Sequence, residues 1–501
     1  MEHKVIAIDS WLDAVKEILQ CEGRQLSALF AVDERQLNGN MVVYGVFADP
    51  AACQFIGIKT LLPPACLEIP SLVAVTPAAA WYEREMHDLF GIVPVGHPDL
   101  RPLVLHENWP HGSFPMCKDF ADQTAIPFEN KEFPVPIVHG EGVFEVPVGP
   151  IHAGIIEPGH FRFSQAGEHI INLEAKLFFT HRGIEKSVEG LPVETALYRV
   201  ERICGACSVS HAISYSQALE SIASLAIPHQ ARLGRVIFAE LERLYNHIGD
   251  IGNLCAGLGF SVGISHGARL KETMMSLNES ITGNRFLRGA VIPGGLRLPL
   301  DHSVAVLIRN VLDHVEPEFK DLIEILRDNT PFLDRVNTTG IVPREAAVEL
   351  ALVGFGARAS GVYVDVRHDF PYAAYGELDY KVPVYSTGDV AARLWVRADE
   401  VIQSFDLIRQ ALAAITDTNV WRLPLPDLPA FQIGLGWSES PRGSNLYWLM
   451  TGDNNTLYRL FVRSASYPNW PALAVAAPGN IIPDFPLINK SFELCYACID
   501  R

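Results

Sequence analysis

Two pairs of cysteines have the residue types and spacing to support metal chemistry in this 501-residue chain. Cys204 and Cys207 form the first pair, and Cys495 and Cys498 form the second pair at the far end. Within each pair, two thiols three positions apart can turn both sulfur atoms toward one ion. Thiolates, rather than thiols, bind metals. Four such soft ligands suit zinc, an iron–sulfur cluster or a thiophilic transition metal such as nickel.

The separation of the two pairs favours a site buried in a large domain. A zinc ribbon usually has about 15–20 residues between its pairs, whereas here the fold must return the C-terminal end to the middle of the chain. The other cysteines have no partner at ligand spacing and are interpreted as small buried apolar residues. They are Cys21, Cys53, Cys66, Cys117 and Cys255.

The composition indicates a globular protein, with 49% hydrophobic and 20% charged residues. A formal net charge of −18 argues against a nucleic-acid partner, since nothing would neutralise the phosphates. No apolar run of about 18 residues predicts a membrane span, and residues 1–4 lack the features of a signal peptide. A cytoplasmic chain with reduced thiols is therefore expected, rather than a disulfide framework.

A small N-terminal α+β domain is predicted for residues 1–125. Apolar runs predict strands at residues 28–32, 41–47 and 55–61. The Asn-Gly pair at Asn38 and Gly39 favours a hairpin turn between the first two. Residues 81–91 are predicted to be helical, and their many charges alone are typical of a solvated face.

A large domain, mainly a helical bundle with small β appendages, is predicted for residues 148–501, so the whole chain is assigned to the α+β class. A proline-rich linker, residues 126–147, precedes it and is not expected to join a core. Apolar residues at intervals of three and four predict two long helices, with Asp389 as the N-cap of the second. The two apolar faces are Ile237, Leu241, Leu244, Ile248 and Ile251, and Val401, Phe405, Ile408, Leu412 and Ile415.

Several longer motifs resemble subunits of respiratory complex I. The string EREMHDLFGI…GHPDLR…KDF, which starts at Glu83, resembles the 30-kDa subunit. The ordered motifs GPxH, HRGxEK, SGVxxDVRxDFPY and YRLFVRSASYPNWPAL resemble the 49-kDa subunit. The chain as a whole therefore resembles a fusion of these two subunits.

The cysteine motif adds a second resemblance. Residues 202–211, RICGACSVSH, contain the complete R-I-C-G-x-C-x-x-x-H signature of [NiFe]-hydrogenase large subunits, whereas complex I subunits lack the cysteine pairs. Chains with a fused 30-kDa-like domain are similar to large subunits of the formate hydrogenlyase-like, energy-converting class. The resemblance implies reversible reduction of protons to H₂. The alternative is a complex I-like NADH:quinone oxidoreductase subunit without hydrogenase activity; His152 lies in the region that faces quinone there, but no quinone is assigned.

The resemblance also implies a cofactor. Cys204 and Cys495 would be terminal ligands of nickel, and Cys207 and Cys498 would bridge it to an iron that carries CO and cyanide. No set of residues for an iron–sulfur cluster remains in this chain. A non-catalytic scaffold with structural zinc is the remaining alternative, and it predicts unfolding on chelation.

Three further residues acquire expected roles from the resemblance. Glu157 would receive the proton that Cys495 takes up first. Arg442, in an S-P-R-G stretch that matches the family's A-P-R-G, would lie over the open metal position, where a permanently charged, rigid fork is suited. His211 would hydrogen-bond a bridging thiolate without binding metal itself.

The C-terminal region departs from the family pattern. Glu493 stands where the family commonly has Asp, and the usual role of that Asp is not transferred to it. Glu185 resembles a ligand of a second cation, Mg or Fe, near the C-terminus; the alternative is an ion pair with Lys186 or a neighbour. Arg501, three residues after Cys498, resembles the family's processed end; the alternative is an encoded stop at this position.

The expected partners follow from what the chain lacks. Electrons would arrive through an iron–sulfur small subunit and further cluster-carrying subunits. Integral membrane subunits would supply a complex I-like arm and hold the chain on the cytoplasmic face of the inner membrane. A maturation protease and nickel-insertion proteins would act during assembly.

Overall fold

The computed structural model describes residues 3–121, 126–129, 131–152, 156–416 and 420–501. In the N-terminal part, four strands form one sheet in the order β1-β4-β3-β2. They are β1 (His3–Val5), β2 (Gln25–Glu34), β3 (Asn40–Asp49) and β4 (Gln54–Leu62). A smaller parallel pair consists of β5 (Glu68–Pro70) and β6 (Val93–Val95). The helices are α1 (Trp11–Leu19), α2 (Arg35–Asn38) and α3 (Ala79–Phe90).

The predicted strands and helix of this part are confirmed, with one change at the turn. The strands β2 and β3 pair antiparallel, but the connection between them contains the single helical turn α2. Gly39 ends that turn with a φ of 82°, a conformation that glycine adopts without strain. Helix α3 does not present its charges only to solvent, because Glu83 and Glu85 are both buried.

The sheet is covered on both faces, which explains why β2 and β3 are nearly continuous apolar runs rather than alternating ones. Helix α3 packs on β2. On the other side, Phe30 stacks on Phe461 at a centroid distance of 4.1 Å, and Tyr44 lies 4.9 Å from Trp448. The N-terminal part therefore shares a core with the C-terminal part of the chain.

The prediction that residues 126–147 form a linker outside any core is wrong for the C-terminal end of that stretch. Strand β7 (Val143–Val148) forms a three-stranded antiparallel sheet with β8 (His160–Ala166) and β9 (His169–Lys176), in the order β7-β8-β9. Pro147 lies in β7 opposite Arg162. Because β7 is the edge strand, proline is tolerated there without the loss of an interior ladder bond.

Helices make up most of the remaining chain. They are α4 (Ile184–Ser187), α5 (Val193–Val200), α6 (Ser208–Ile222), α7 (His229–Ala256), α8 (Ser261–Thr282), α9 (His302–Arg327), α10 (Thr330–Val336), α11 (Arg344–Glu349), α12 (Gly354–Ala359), α13 (Val366–Asp369), α14 (Val390–Ala414), α15 (Ser466–Asn469), α16 (Pro471–Ala476), α17 (Phe485–Phe492) and α18 (Tyr496–Asp500). Single 3₁₀ turns occur at Ile8–Ser10, Pro50–Ala52, Tyr375–Glu377 and Ile482–Asp484. The observed mixture of helices and small sheets agrees with the α+β class.

The longest helices pack against one another. Helix α7 contacts α8 and α14, and both of these contact α9. The two predicted apolar faces lie on α7 and α14, except for Ile415, which follows α14 as its C-cap. Asp389 caps α14 as predicted, because its side chain accepts a hydrogen bond from the Ala392 N–H at 2.8 Å. A Cβ at Gly267 would lie 2.6 Å from the Cα of Gly252, so glycine is required where α7 and α8 meet.

The remaining strands complete the framework of the cysteine site. Strands β10 (Val291–Ile292) and β11 (Gly295–Leu296) form a short hairpin. Strands β12 (Ile433–Ser440), β13 (Gly443–Thr451) and β14 (Leu457–Arg463) form an antiparallel sheet on which α6 packs. A Cβ at Gly436 would lie 1.9 Å from the carbonyl oxygen of Ser214. The helix that follows Cys207 is thus held directly against this sheet.

No helix among the described residues has both the length and the apolar character needed to cross a membrane.

Candidate metal centre

The fold brings the two distant cysteine pairs together. The sulfur atoms of Cys204, Cys207, Cys495 and Cys498 all lie within 4.8 Å of one another, and those of Cys204 and Cys495 are 3.4 Å apart. Cys207 immediately precedes α6, and Cys495 immediately precedes α18. The four thiols therefore come from the starts of two helices that are far apart in the sequence.

Arg182 ties the two cysteine-bearing segments together. Its guanidinium donates to the carbonyls of Arg202 at 3.0 Å and Ile203 at 2.7 Å, just before Cys204. The same group donates to the carbonyl of Ala497 at 3.2 Å, between the cysteines of the second pair. The sequence motif HRGxEK contained this residue, but its spacing gave no indication that it joins the two pairs.

The four thiols do not share the same acidity. Hydrogen bonds from Cys204, Cys207 and Cys498, together with the charge of Arg442, hold the pKa of Cys495 well below its usual range. Hydrogen bonds with neighbouring sulfurs raise the pKa of Cys207, whereas burial is the main cause of the raised pKa of Cys498. Without metal the cluster therefore holds negative charge at Cys495, and metal binding by Cys207 and Cys498 must release their protons.

The cluster fits a soft metal centre. Cys204, Cys207 and Cys498 are buried, and Cys495 is partly exposed. Four converging sulfur donors suit zinc, iron or nickel, so the donor set agrees with the nickel–iron centre that the resemblance implies. Its geometry alone does not separate that centre from structural zinc.

His211 lies within hydrogen-bond distance of the sulfur of Cys498. The ring is fully buried, and its Nε2 is 3.5 Å from the sulfur of Cys498. Burial lowers the pKa of His211 to about 4, so the ring is neutral at pH 7. Its Nδ1 is 2.8 Å from the hydroxyl of Tyr447. Burial raises the pKa of Tyr447 well above its usual range, so the hydroxyl stays protonated and can donate a hydrogen bond to Nδ1. In that tautomer the Nε2–H faces the sulfur of Cys498.

Arg442 lies in the turn between β12 and β13 and is buried. Both of its terminal nitrogens donate to the carboxylate of Asp250 on α7, one of them at 3.0 Å. Burial opposes the ionisation of Asp250, but the charges of Arg442 and Arg397 and hydrogen bonds from His247 and Arg442 together outweigh it and lower the pKa of Asp250 below its usual range. This fork-to-carboxylate pairing fixes the guanidinium plane. Asp250 was not predicted, because it lies outside the apolar face of α7 and belongs to no motif.

Glu493 lies close to Arg442 and Asp250. It has a φ of 45°, and its carboxylate accepts a hydrogen bond from the side chain of Asn253. Burial and the charge of Asp250 raise the pKa of Glu493 to about 7, against the opposing effect of Arg442. The residue that replaces the family's usual Asp therefore adjoins the Arg442–Asp250 pair.

Glu157 lies between the cluster and the surface. One carboxylate oxygen accepts a hydrogen bond from the N–H of Ala497 at 2.8 Å, one residue before Cys498. Loss of water around the carboxyl group raises the pKa of Glu157, and the charge of Cys495 adds to that rise. The residue as a whole is solvent-exposed. His152 instead hydrogen-bonds the carbonyl of Gly159 at 2.7 Å.

Two other expectations need correction. Glu185 pairs with Arg459 and Arg501 rather than with Lys186, since both guanidiniums lie 2.9 Å from its carboxylate. Although burial alone would raise it, these charges hold the pKa of Glu185 below its usual range.

Of the remaining cysteines, Cys117 and Cys255 are buried as predicted. Three are exposed, namely Cys21, Cys53 and Cys66, because each lies in a connection outside the core.

Three protein families match successive parts of the sequence. The family described as the 30 Kd subunit of respiratory-chain NADH dehydrogenase matches residues 5–125. The nickel-dependent hydrogenase family matches residues 182–256, which include the first cysteine pair. The family of the 49 Kd subunit of respiratory-chain NADH dehydrogenase matches residues 258–425 and 427–501.

Individual relatives cover nearly the whole chain. Formate hydrogenlyase subunit 5 of Escherichia coli is 35% identical over 98% of this chain and 88% of its own length. A C/D-type NADH-quinone oxidoreductase polypeptide of Phocaeicola vulgatus is 28% identical over 87% of each chain. A solved chain from an archaeal membrane-bound sulfane sulfur reductase covers 73% of this chain and 100% of its own length, with 27% identity and a TM-score of 0.68.

Proposed function

Because the chain belongs to the family of formate hydrogenlyase-type hydrogenase large subunits, we propose that its clustered cysteines hold the centre at which protons and H₂ are interconverted. The observation that carries this proposal is the convergence of four cysteine sulfurs within 4.8 Å. A quinone-reducing subunit has no use for four thiolates at one point. The NADH-quinone relative is also the more distant one, at 28% identity against 35%.

The proposed cofactor is a binuclear nickel–iron centre whose iron carries CO and cyanide. Cys204 and Cys495 would hold the nickel, and Cys207 and Cys498 would be ligands shared between nickel and iron. When bound, the centre supplies the redox chemistry that interconverts H₂ with two protons and two electrons. Arg182 holds the two ligand segments in register, and His211 donates to the sulfur of Cys498, which stabilises it as a thiolate.

The residues of this chain also provide a route for protons. Hydrogen bonds from neighbouring sulfurs and the charge of Arg442 hold the pKa of Cys495 well below its usual range, so its sulfur is present as a thiolate. By resemblance to the family, this thiolate serves as the first proton acceptor. Glu157 reaches the same segment through its hydrogen bond to Ala497 and is open to solvent. Its raised pKa brings it closer to neutral pH, where an acid–base group transfers protons efficiently. We therefore assign Glu157 as the acceptor that passes protons outward.

Replacing Glu157 by glutamine tests this role. The amide oxygen can still accept the hydrogen bond from Ala497, but the side chain can no longer carry a proton. We expect H₂ evolution to fall by about 10²-fold or more, with an unchanged nickel content. The exposed Glu168, replaced by glutamine, is the matched control and should remain fully active. Full activity of Glu157→Gln would remove it from the proton route.

Electrons and membrane attachment are assigned to partner subunits. No second group of cysteines lies within ligand distance in the part of the chain that the structure describes. We propose that electrons arrive from an iron–sulfur small subunit and further cluster-carrying subunits, and that membrane subunits hold the assembly at the cytoplasmic face. A maturation protease and nickel-insertion proteins complete the centre. A preparation of this chain alone that accepts electrons and binds membranes would contradict the assignment.

We propose the division into residues 1–125 and 148–501, with four long helices forming the bundle of the second part. The N-terminal part is assigned as a docking module for cluster-carrying subunits. Its aromatic contacts with the C-terminal sheet, such as Phe30 on Phe461, give it a second task in stabilising that sheet. A chain without residues 1–120 that still recovers the full assembly would contradict both assignments.

A direct assay tests the function. The purified complex should evolve H₂ from a reduced low-potential viologen dye, because the dye delivers electrons without the natural donor. Metal-loaded complex that reduces quinone with NADH but evolves no H₂ would favour the complex I-like alternative instead.

A further inference from the structure

The side chain of Arg501 lies in a closed cage near the cysteine centre. It is buried, with a relative exposure of 3%. One terminal nitrogen donates to Glu185 at 2.9 Å and to the carbonyl of Val462 at 2.6 Å. The other donates to Glu85 at 2.6 Å. The two carboxylates come from different parts of the chain, Glu85 from helix α3 and Glu185 from helix α4.

Two aromatic rings complete the cage. The guanidinium carbon of Arg501 lies 5.7 Å from the ring centroid of Phe461 and 5.2 Å from that of Tyr467. A planar guanidinium gains from aromatic contact and from two-sided carboxylate pairing. A hydrated or oxygen-coordinated metal ion has no such complementarity to ring faces, since magnesium and calcium bind oxygen ligands.

Every oxygen of Glu185 is already engaged. One oxygen accepts from Arg501 at 2.9 Å and from the N–H of Val462 at 2.9 Å. The other accepts from Arg459 at 2.9 Å. Glu85 and Glu185 thus face two guanidiniums, those of Arg459 and Arg501. A divalent cation at this point would meet two positive groups and no free carboxylate oxygen on Glu185.

We propose that the Arg501 guanidinium takes the place of the second divalent cation that the hydrogenase resemblance implies beside Glu185. The chain thus carries its own cation at this position. Because α18 bears Cys498 and ends next to Arg501, the cage also anchors the second cysteine pair to the N-terminal part through Glu85. This inference goes beyond the proposed function, since it holds whatever metals the cysteines bind.

The first test uses the wild-type complex. Its thermal midpoint should be the same in EDTA and in excess Mg²⁺ or Mn²⁺, and the complex should contain no stoichiometric magnesium or manganese. About one tightly bound Mg²⁺ per chain, with a midpoint that falls on its removal, would overturn the proposal.

The second test creates the cation site. Arg501→His removes the guanidinium and leaves Glu85 and Glu185 uncompensated beside a metal-binding side chain. We expect a lower thermal midpoint in EDTA, recovery with Mn²⁺, and about one bound Mn²⁺ per chain, since a ligand that binds only the folded state stabilises it. Arg501→Lys keeps the charge and should show no response to Mn²⁺.

A matched control separates this effect from general loss of a buried ion pair. Arg235 is buried and paired with Glu220 at 2.6 Å, in a place with one carboxylate. Arg235→His should lower the midpoint without any recovery by Mn²⁺. If Arg501→His folds and also shows no recovery, the guanidinium does not substitute for a cation. Nickel content, measured in parallel, reports separately on the cysteine centre.

Discussion

Replacing Cys498 by alanine is expected to give a chain that contains no nickel and evolves no H₂. The change removes one of four converging sulfurs and also the acceptor of the His211 hydrogen bond. The loss should greatly exceed the about 10–100-fold decrease in metal affinity or activity that is typical when only an outer partner of a ligand is removed. Nickel analysis and H₂ evolution by the purified variant measure both effects, and an unassembled apo-protein is the expected product.

Cys255 provides the matched control for this experiment. It is also a buried cysteine, on helix α7, but it lies outside the four-sulfur cluster, and its sulfur donates a hydrogen bond to the carbonyl of Ile251 at 3.4 Å. Cys255→Ala should therefore retain nickel and activity. If Cys498→Ala kept a full nickel content and normal H₂ evolution, the four-sulfur centre would be wrong.

Replacing Arg442 by lysine is expected to reduce H₂ evolution by about 10²–10³-fold while nickel is retained, which is the size of effect seen when one positioned donor is removed from an active site. Arginine pairs with both oxygens of Asp250. A lysine ammonium carries the same charge but cannot reproduce this fork. The guanidinium plane beside Cys495 would be lost, and the acidity of that thiol would change with it.

The control for Arg442 makes the same chemical change elsewhere. Arg235 is also buried and donates to both oxygens of its partner Glu220, at 2.8 and 2.6 Å. Arg235→Lys should lower stability but leave the activity per nickel within about twofold. Equal losses of activity per nickel in both variants would show that Arg442 acts only through stability.

Local patterns in the sequence predicted local structure well. The strands around Gly39 follow from short apolar runs on either side of a turn signal, the apolar faces of α7 and α14 follow from a period of 3.6 residues, and Asp389 follows from N-cap chemistry. The linker prediction for the proline-rich stretch was wrong at β7, because an edge strand tolerates proline. No local pattern in the sequence shows that a strand will lie at the edge of a sheet.

Only those site residues whose role is indicated by a recognisable motif could be predicted from the sequence. The cysteines were found from their spacing, but Arg182, Asp250 and Tyr447 were not. Each of these acts through a partner far away in sequence, such as Tyr447 with His211. Residue type and periodicity carry no information on such pairs. Glu185 shows the same limit, since the motif left open a second cation or an ion pair, and the sequence did not indicate that Glu185 pairs with the distant Arg459 and Arg501.

No pattern in the sequence predicted that the N-terminal part and the C-terminal part share a core. An apolar run predicts that a strand is buried but not what covers it. In the structure Phe30 and Tyr44 of the N-terminal sheet meet Phe461 and Trp448 of the C-terminal sheet. The N-terminal part and the part that carries the cysteine cluster therefore share a core, and an N-terminal deletion is expected to destabilise both.

The infrared spectrum of the purified complex, in the region of metal-bound CO and cyanide, tests the central claim most directly when combined with nickel and iron analysis. The nickel–iron assignment predicts one CO band and two cyanide bands, with nickel and iron in equal amounts at the four-cysteine site. Zinc at that site with no such bands would contradict it and would leave a structural metal site in its place.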